Sequence, residues 1–243
     1  QWKAQTKYYI HSPFVYQFYL HVLEGKQDAN LDKIDSLYQQ LRNDNSLVQI
    51  NEYQNNEEDF LSISYLEKKE VKRKYGKLLY HIGKYFNAKN ILEIGTSIGI
   101  SSAYLSASNP NARIISLDNS SALTDLAIQN HAILKIKNVE IKQGEYSDIL
   151  NSSLQQLGFP DIIFFNRCFY DSETLQYFHQ CLKYITENSI LIFNNIYQDR
   201  ETNKIWLEIQ QHPKISLTID VFQFGICFFR KGKLAKENFV LRY

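Results

Sequence analysis

The sequence has almost no net charge, few cysteines and no long apolar segment, and each absence disfavours a class of protein. Its 27 basic and 26 acidic side chains leave a formal net charge of +1 over 243 residues. No overall electrostatic field therefore attracts nucleic acid or anionic lipid, and such a partner would need a local patch of charge. We do not expect nucleic acid to be the partner.

The three cysteines form neither a disulfide framework nor a metal-binding pattern. Cys168, Cys181 and Cys227 have no CxxC spacing and lie in or beside apolar stretches, which is typical of small buried hydrophobic side chains. Because a reducing compartment fits this usage, we expect a cytoplasmic protein.

Long apolar runs are missing as well. No run of 18 apolar residues occurs, and the apolar segment near the start is interrupted by His11, Gln17, His21 and Glu24. This pattern disfavours a membrane span or a signal peptide. The sequence therefore predicts a soluble protein without a membrane partner.

The first 87 residues have the spacing of helices. Ser12 and Pro13 are a typical N-cap and first-turn pair, and Gly25 is a stop signal. Apolar residues at three- and four-residue spacing predict further helices over 31–44 and 66–86.

From Lys89 onward, short apolar runs alternate with amphipathic stretches, which is typical of βαβ units in a parallel sheet. The predicted strands cover 90–94, 112–117, 139–143, 161–165 and 189–193. The predicted helices cover 99–108, 120–136, 146–157, 172–186 and 200–211. Two last apolar segments, at 214–222 and 224–231, are too close for a helical crossover and predict an antiparallel hairpin.

The fold class that follows is α/β. We predict a Rossmann-like, doubly wound sheet of seven strands, mostly parallel with a C-terminal antiparallel hairpin, and helices before it. We divide the chain into an N-terminal helical extension, residues 1–65, and a main domain, residues 66–243.

The turn after the first predicted strand is the candidate ligand site, because open parallel sheets bind ligands beyond the carboxyl ends of their strands. Residues 91–106 read ILEIGTSIGISSAYLS. A dinucleotide fingerprint would need glycine where Ser97 and Ile100 stand, so an NAD-dependent oxidoreductase is disfavoured. A ligand with a sulfonium and an ammonium, but no phosphate, suits a turn preceded by the carboxylate of Glu93.

The run Glu93-Ile94-Gly95-Thr96, with Gly99 and Ser101, resembles the class I S-adenosylmethionine-dependent methyltransferases. Within them it is most similar to the small O-methyltransferases of the caffeoyl-CoA and catechol type, over about residues 75–230. The resemblance implies methyl transfer from S-adenosylmethionine to a small-molecule acceptor.

The resemblance also implies the cofactor contacts. Asp118 would accept hydrogen bonds from both ribose hydroxyls, Gly144 and Glu145 would contact adenine, and Asn166 would lie beside the reacting methyl. The implied set is Glu93, Gly95, Thr96, Ser97, Gly99, Ser101, Asp118, Asn119, Gly144, Glu145 and Asn166. Taken singly, the glycines could be turn residues and Asp118 a helix N-cap.

Metal-dependent members of that group bind a divalent cation through an acid after the fourth strand and an Asp-Asn pair after the fifth. The corresponding residues here are Asn166 and the pair Asn194-Asn195. Hard cations depend on carboxylate charge, so three neutral amides make a poor site. We predict no catalytic metal.

No general base stands out. The weak catalytic candidates are Asn166, Tyr170, Asp171 and Tyr197. Asp171 comes just before a predicted helix, which favours a capping role, and Tyr197 could equally be packing. Asp199 is a further nearby carboxylate, and His179 in mid-helix is more typical of a packed or surface residue.

Two other segments could serve the acceptor. Residues 68–77, KKEVKRKYGK, could contact a phosphate-bearing substrate or nucleic acid, although we favour a solvated helix face. The aromatic residues near the start could cover an acceptor pocket or form a homodimer contact, and packing of an auxiliary helix is the favoured interpretation.

Two functional hypotheses follow. The first is metal-independent methyl transfer from S-adenosylmethionine to a small acceptor, at oxygen. The alternative is a non-catalytic binding or regulatory module with the same fold, which the three asparagines at 166, 194 and 195 motivate.

Overall fold

The computed structural model describes residues 4–26, 28–50, 59–166, 173–232 and 235–243. Its helices are α1 (Pro13–Phe18), α2 (Asp32–Arg42), α3 (Ile63–Lys69), α4 (Arg73–Tyr85), α5 (Ile100–Ser108), α6 (Ser121–Leu134), α7 (Tyr146–Leu157), α8 (Glu173–Cys181) and α9 (Arg200–Gln211). Its strands are β1 (Leu47–Ile50), β2 (Asp59–Ser62), β3 (Asn90–Ile94), β4 (Arg113–Asp118), β5 (Val139–Gln143), β6 (Ile162–Phe165), β7 (Ile190–Asn194), β8 (Leu217–Asp220), β9 (Phe224–Phe228) and β10 (Glu237–Val240).

The central sheet confirms the predicted α/β architecture. Its strands lie in the order β10-β8-β9-β7-β6-β3-β4-β5, and β9 is antiparallel to both of its neighbours. The order reverses between β3 and β6, since the chain runs outward from β3 to β5 and then returns. A switch point of this kind is where open α/β sheets bind ligands.

The sheet holds eight strands within the described residues, one more than the seven predicted. The additional strand, β10, pairs in parallel with β8. It is only four residues long and reads ENFV, so it lacks the apolar run that identified the others. Gln5 continues the edge through an isolated bridge to Leu241.

Helices cover both faces of the sheet. α1, α2, α4, α5 and α6 contribute to one apolar core, and α7, α8 and α9 contribute to the other. Strands β3, β6 and β7 are buried along almost their whole length, as expected for parallel strands that are covered on both sides. Within the described ranges, no helix combines the length and apolarity needed to cross a bilayer.

The single helix predicted over 66–86 is wrong, because the chain breaks into α3 and α4. Glu70 is extended, with ψ of 165°, and the break is held by contacts from distant segments. The Ile98 N–H donates to Oε1 of Glu70 at 3.3 Å, and the Tyr38 hydroxyl donates to the Val71 carbonyl at 3.1 Å. Tertiary contacts thus override the local helical pattern.

The N-terminal aromatic residues pack against the sheet. Phe14 and Phe18 meet Phe228 edge to face, with ring centroids 5.1 Å and 5.9 Å apart. As predicted, Ser12 is the N-cap residue of α1 and Pro13 lies in its first turn, although the Ser12 side chain makes no capping hydrogen bond. A π-helical turn, Tyr19–Leu23, continues α1.

Candidate functional site

The turn between β3 and α5, which we call the bend (residues 95–99), folds back onto the end of β4. The N–H groups of Gly95 and Thr96 both donate to the Leu117 carbonyl, at 2.8 Å and 2.9 Å. Positive φ angles occur at Gly95 (99°), Ser97 (52°) and Gly99 (81°). The glycines at 95 and 99 supply conformations that other residues rarely adopt.

Gly99 is required for a second reason, which is close packing against α6. A Cβ added at this position would lie 2.9 Å from both the Ala127 Cβ and the His131 Nε2. Asn130, the neighbour of His131, donates to the Ile98 carbonyl at 2.8 Å. Close packing against α6 and the hydrogen bond from Asn130 therefore fix the position of the bend.

Asp118, at the end of β4, accepts a hydrogen bond from the backbone of the bend. Its side chain is 2% exposed. Its Oδ2 accepts from the Ser97 N–H at 2.7 Å, and its Oδ1 accepts from the Ser120 N–H at 3.0 Å. Both carboxylate oxygens therefore accept hydrogen bonds from backbone N–H groups, and Asp118 joins the bend to the residues after β4. Asn119, the next residue along the chain, is half-buried.

Glu93 lies behind the bend and is fully buried. Ser116 donates to its Oε2 at 2.5 Å and is itself 2.6 Å from the Thr96 hydroxyl. Burial, together with the charges of Glu70 and Asp118, raises the pKa of Glu93 to about 8, although the nearby Ser101 and Ser116 hydroxyls act to lower it. Oε1 of Glu93 has no well-formed hydrogen bond within the described part of the chain.

The two residues expected at adenine follow β5. The Gly144 N–H donates to the Asp118 carbonyl at 3.0 Å, so the end of β5 is tied to the end of β4. Glu145 is exposed and is the N-cap residue of α7, where its side chain makes no capping hydrogen bond. The sheet therefore places Gly144 beside Asp118 and leaves Glu145 facing solvent.

A chain of three side-chain amides joins the ends of β6 and β7 to the bend. The Asn166 amide donates to the Gly95 carbonyl at 2.9 Å and to the Ser101 hydroxyl at 3.2 Å. Asn194 donates to the Asn166 Oδ1 at 2.9 Å, and Gln223 donates to the Asn194 Oδ1 at 3.0 Å. Every amide in this chain therefore has its orientation set by its neighbours.

A cleft of about 310 Å³ opens beside the bend and the amide chain. Its lining includes Ser97, Asn166, Gln223 and the side chains of the α3–α4 break, among them Glu70. Sequence reasoning missed Glu70, which is buried and holds the Ile98 N–H. A single glutamate within a predicted helix gives no signal of such a contact.

The structure describes two of the four catalytic candidates, Asn166 and Tyr197. Asn166 reaches the bend, whereas Tyr170 and Asp171 lie outside the described residues. Tyr197 donates its hydroxyl to Oδ2 of the buried Asp220, and burial together with this hydrogen bond raises the Tyr197 pKa well above its usual value. A tyrosine held this way stays protonated near neutral pH and is not available as a general base.

Asp199 has a structural role. It forms a capping box with Thr202 at the start of α9, and this contact accounts for its carboxylate.

Cys181 and Cys227 are buried, unpaired thiols. In the ranges that the structure describes, no cluster of three or more histidine, cysteine, aspartate or glutamate side chains could hold a metal ion.

The comparison with known structures identifies the same fold in enzymes that bind an adenosyl cofactor. An O-methyltransferase from Bacillus cereus in complex with SAH has 21% identity and a TM-score of 0.59, covering 90% of this chain and 97% of that one. The SAH-bound methyltransferase PaMTH1 from Podospora anserina has 13% identity and a TM-score of 0.66, covering 91% and 97%. The O-methyltransferase TomG from Streptomyces achromogenes, involved in tomaymycin synthesis and complexed with SAM, has 19% identity and a TM-score of 0.58, covering 89% and 95%.

The sequence comparisons agree with the fold. No curated protein gives a significant match. A family profile described as a methyltransferase domain matches residues 86–223, which is more than half of the chain and contains the bend, Asp118 and the amide chain. The protein therefore belongs to the methyltransferase domain family and has the class I methyltransferase fold.

Proposed function

We propose that this protein transfers a methyl group from S-adenosylmethionine to an oxygen of a small-molecule acceptor without a catalytic metal. The observation that carries the proposal is the bend, which two buried carboxyl groups flank at the switch point of a methyltransferase sheet. The cleft beside the bend supplies room for an acceptor.

The residues present fit the cofactor. Gly95 and Gly99 place no side chain between the bend and a ligand, and a carboxylate such as Asp118 is the group suited to ribose hydroxyls. The pKa of Glu93 is raised to about 8, so its carboxyl is mostly protonated near neutral pH, and a cation bound at this end of β3 would favour the ionised form. Its buried Oε1 has no well-formed hydrogen bond among the described residues. The residues predicted to bind it remain Glu93, Gly95, Thr96, Ser97, Gly99, Ser101, Asp118, Asn119, Gly144, Glu145 and Asn166.

The chain's own contribution is positioning. When bound, S-adenosylmethionine would supply its sulfonium methyl to the acceptor oxygen, with S-adenosylhomocysteine as the leaving group and the hydroxyl proton released to water. Asn166 links the bend to the cleft, since its amide donates to the Gly95 carbonyl and Asn166 itself lines the cleft. Holding the two reactants in a fixed geometry accounts for a large part of such catalysis.

The amide chain supports the absence of a metal from the mechanism. Asn166 and Asn194 satisfy each other and the bend with neutral hydrogen bonds. A divalent cation at this place would have to compete with those bonds and would find no carboxylate charge in them.

Titration calorimetry with S-adenosylhomocysteine tests cofactor binding, and heat of binding at micromolar to millimolar ligand supports the proposal. Release of S-adenosylhomocysteine in the presence of hydroxylated acceptors, with and without EDTA, tests chemistry. Turnover that EDTA abolishes and magnesium restores would overturn the metal-independent mechanism.

The alternative is a non-catalytic module that binds the cofactor. It is favoured by one observation, that the Tyr197 hydroxyl donates to Asp220 and stays protonated, so that it is not available as a general base. Cofactor binding without release of product across a broad acceptor panel would support this alternative against an enzyme.

A further inference from the structure

The basic run at 68–77 does not form one solvated helix face. Arg73 and Lys77 both form ion pairs with Asp35, and Lys74 lies over the Tyr243 ring at 4.3 Å from its centroid. These three residues therefore have structural partners.

The other three lysines of the run lie at the cleft beside the bend. Lys68, Lys69 and Lys72 are exposed and line the cleft together with Ser97 and Asn166. None of the three takes part in an ion pair within the described residues, and Lys69 lies 5.3 Å from the Tyr65 ring. The interruption between α3 and α4 brings them to the cleft.

The cleft is consequently rich in positive charge. Among the described residues that line it, three ammonium groups stand against one carboxylate, that of Glu70, which accepts the Ile98 N–H. Helix α4 also begins here, with no acidic residue in its first turn and no side-chain cap. Positive charge at a helix N-terminus is unfavourable, and an anion bound there would relieve it.

The cofactor of the proposed reaction does not account for this charge. S-adenosylmethionine carries a sulfonium, an ammonium and one carboxylate, so its net charge is positive. An excess of lysines repels such a ligand overall. The anion is better assigned to the molecule that shares the cleft with the cofactor.

We propose that the acceptor is an anionic small molecule, a hydroxylated compound whose phosphate or carboxylate group binds Lys68, Lys69 and Lys72. This inference rests on the proposed function. The size of the cleft, about 310 Å³, suits a small molecule. The neighbouring amides of Asn195, Gln198 and Gln223 can form hydrogen bonds with the same ligand.

Three probes test the inference on the full chain loaded with S-adenosylhomocysteine, namely phenyl phosphate, benzoate and phenol. Calorimetry or ligand-observed NMR should show phenyl phosphate, benzoate or both binding at least tenfold more tightly than phenol. The two anions distinguish a phosphate from a carboxylate. High salt should weaken binding of the preferred anion, because the lysines are exposed.

The matched variants are K68Q/K69Q/K72Q and K33Q/K135Q/K137Q. The control lysines line a different cleft, of about 360 Å³, beside the residues that precede β4 and β5. The first variant should lose at least tenfold in anion affinity and keep its affinity for S-adenosylhomocysteine, whereas the control should keep both within about twofold.

Several results would overturn the inference. They are equal binding of phenol and both anions to the wild type, an anion preference that survives in K68Q/K69Q/K72Q, and a loss of S-adenosylhomocysteine affinity in that variant with anion binding unchanged. If S-adenosylhomocysteine does not bind the wild type, the proposed cofactor fails, and the anion preference is then measured on the protein without it.

Discussion

The two sides of the candidate site are built in different ways. The bend is a buried segment of backbone. Its N–H groups donate to the Leu117 carbonyl and to Asp118, and Asn130 of α6 donates to its Ile98 carbonyl. The opposite side of the cleft consists of side chains, lysines and amides, brought together from α3, α4, β7 and β9 and their flanking residues. The proposed cofactor side therefore depends on fixed backbone shape, whereas the proposed acceptor side depends on side chains that can be substituted without moving the backbone.

The largest expected effect is on the backbone side, from Gly99→Ala. The added methyl would lie within 3 Å of Ala127 and His131, so the bend must shift. We expect S-adenosylhomocysteine affinity to fall by about 100-fold or more, by analogy with other misplaced binding geometry. Calorimetry provides the measurement.

Gly158→Ala is the matched control for that change. Gly158 has a similar φ of 78°, but an added Cβ meets nothing within 4 Å. It should cost about 1–3 kcal/mol of folding free energy, because alanine is strained at this φ, and leave cofactor affinity unchanged. Equal losses of affinity in the two variants would show that general destabilisation, rather than a shift of the bend, causes the effect.

Asn166→Asp tests the connection between the two sides. A carboxylate oxygen in place of the amide nitrogen would face the Gly95 carbonyl, which now accepts a hydrogen bond at 2.9 Å. We expect about tenfold weaker cofactor binding, because two acceptors would be brought together. Magnesium should not restore the affinity, and restoration would contradict the metal-free interpretation.

Glu93→Gln should change how stability depends on pH. The folded-state pKa of about 8 lies above the ordinary value of 4.5, so the folded protein keeps a proton that the unfolded chain releases in this window. Wild-type stability should therefore contain a component that falls as pH rises from about 5 to 8, and the glutamine variant should lack it. Urea unfolding across that range measures both slopes, and equal slopes would contradict the expectation.

The smallest expected effect on methyl transfer is from Tyr197→Phe. The lost hydroxyl donates to buried Asp220, so the change should lower the free energy of unfolding by about 1 kcal/mol. Methyl transfer should change by less than about threefold, since a tyrosine so held is a poor base. A loss of 100-fold in kcat with KM unchanged would instead make Tyr197 catalytic.

The difference between the backbone side and the side-chain side of the site also explains which features can be predicted from the sequence. The sequence predicts the five parallel strands and the hairpin to within a few residues, because most of these strands are buried and appear as continuous apolar runs. The exception is β5, an edge strand that reads VEIKQ and is only partly buried. The bend was found because glycine spacing records a local backbone requirement. Both signals lie within about fifteen consecutive residues.

The acceptor side could not be predicted in this way. The break before α4 depends on Ile98 and Tyr38, which lie 28 and 33 residues from their partners Glu70 and Val71. A helical pattern gives no sign of such contacts, so the lysines were interpreted as a solvated face. The short, polar β10 was missed for a related reason, because its pairing with β8 and not its composition makes it a strand.

The amide chain from Gln223 through Asn194 to Asn166 has a further consequence. Each member gives a hydrogen to the next, and the last gives its own to the Gly95 carbonyl. Primary amides do not ionise in the physiological range. The amide contacts at this end of the sheet are therefore insensitive to acidity, so any pH dependence of turnover must arise from the acceptor, from Glu93 or from another ionisable side chain.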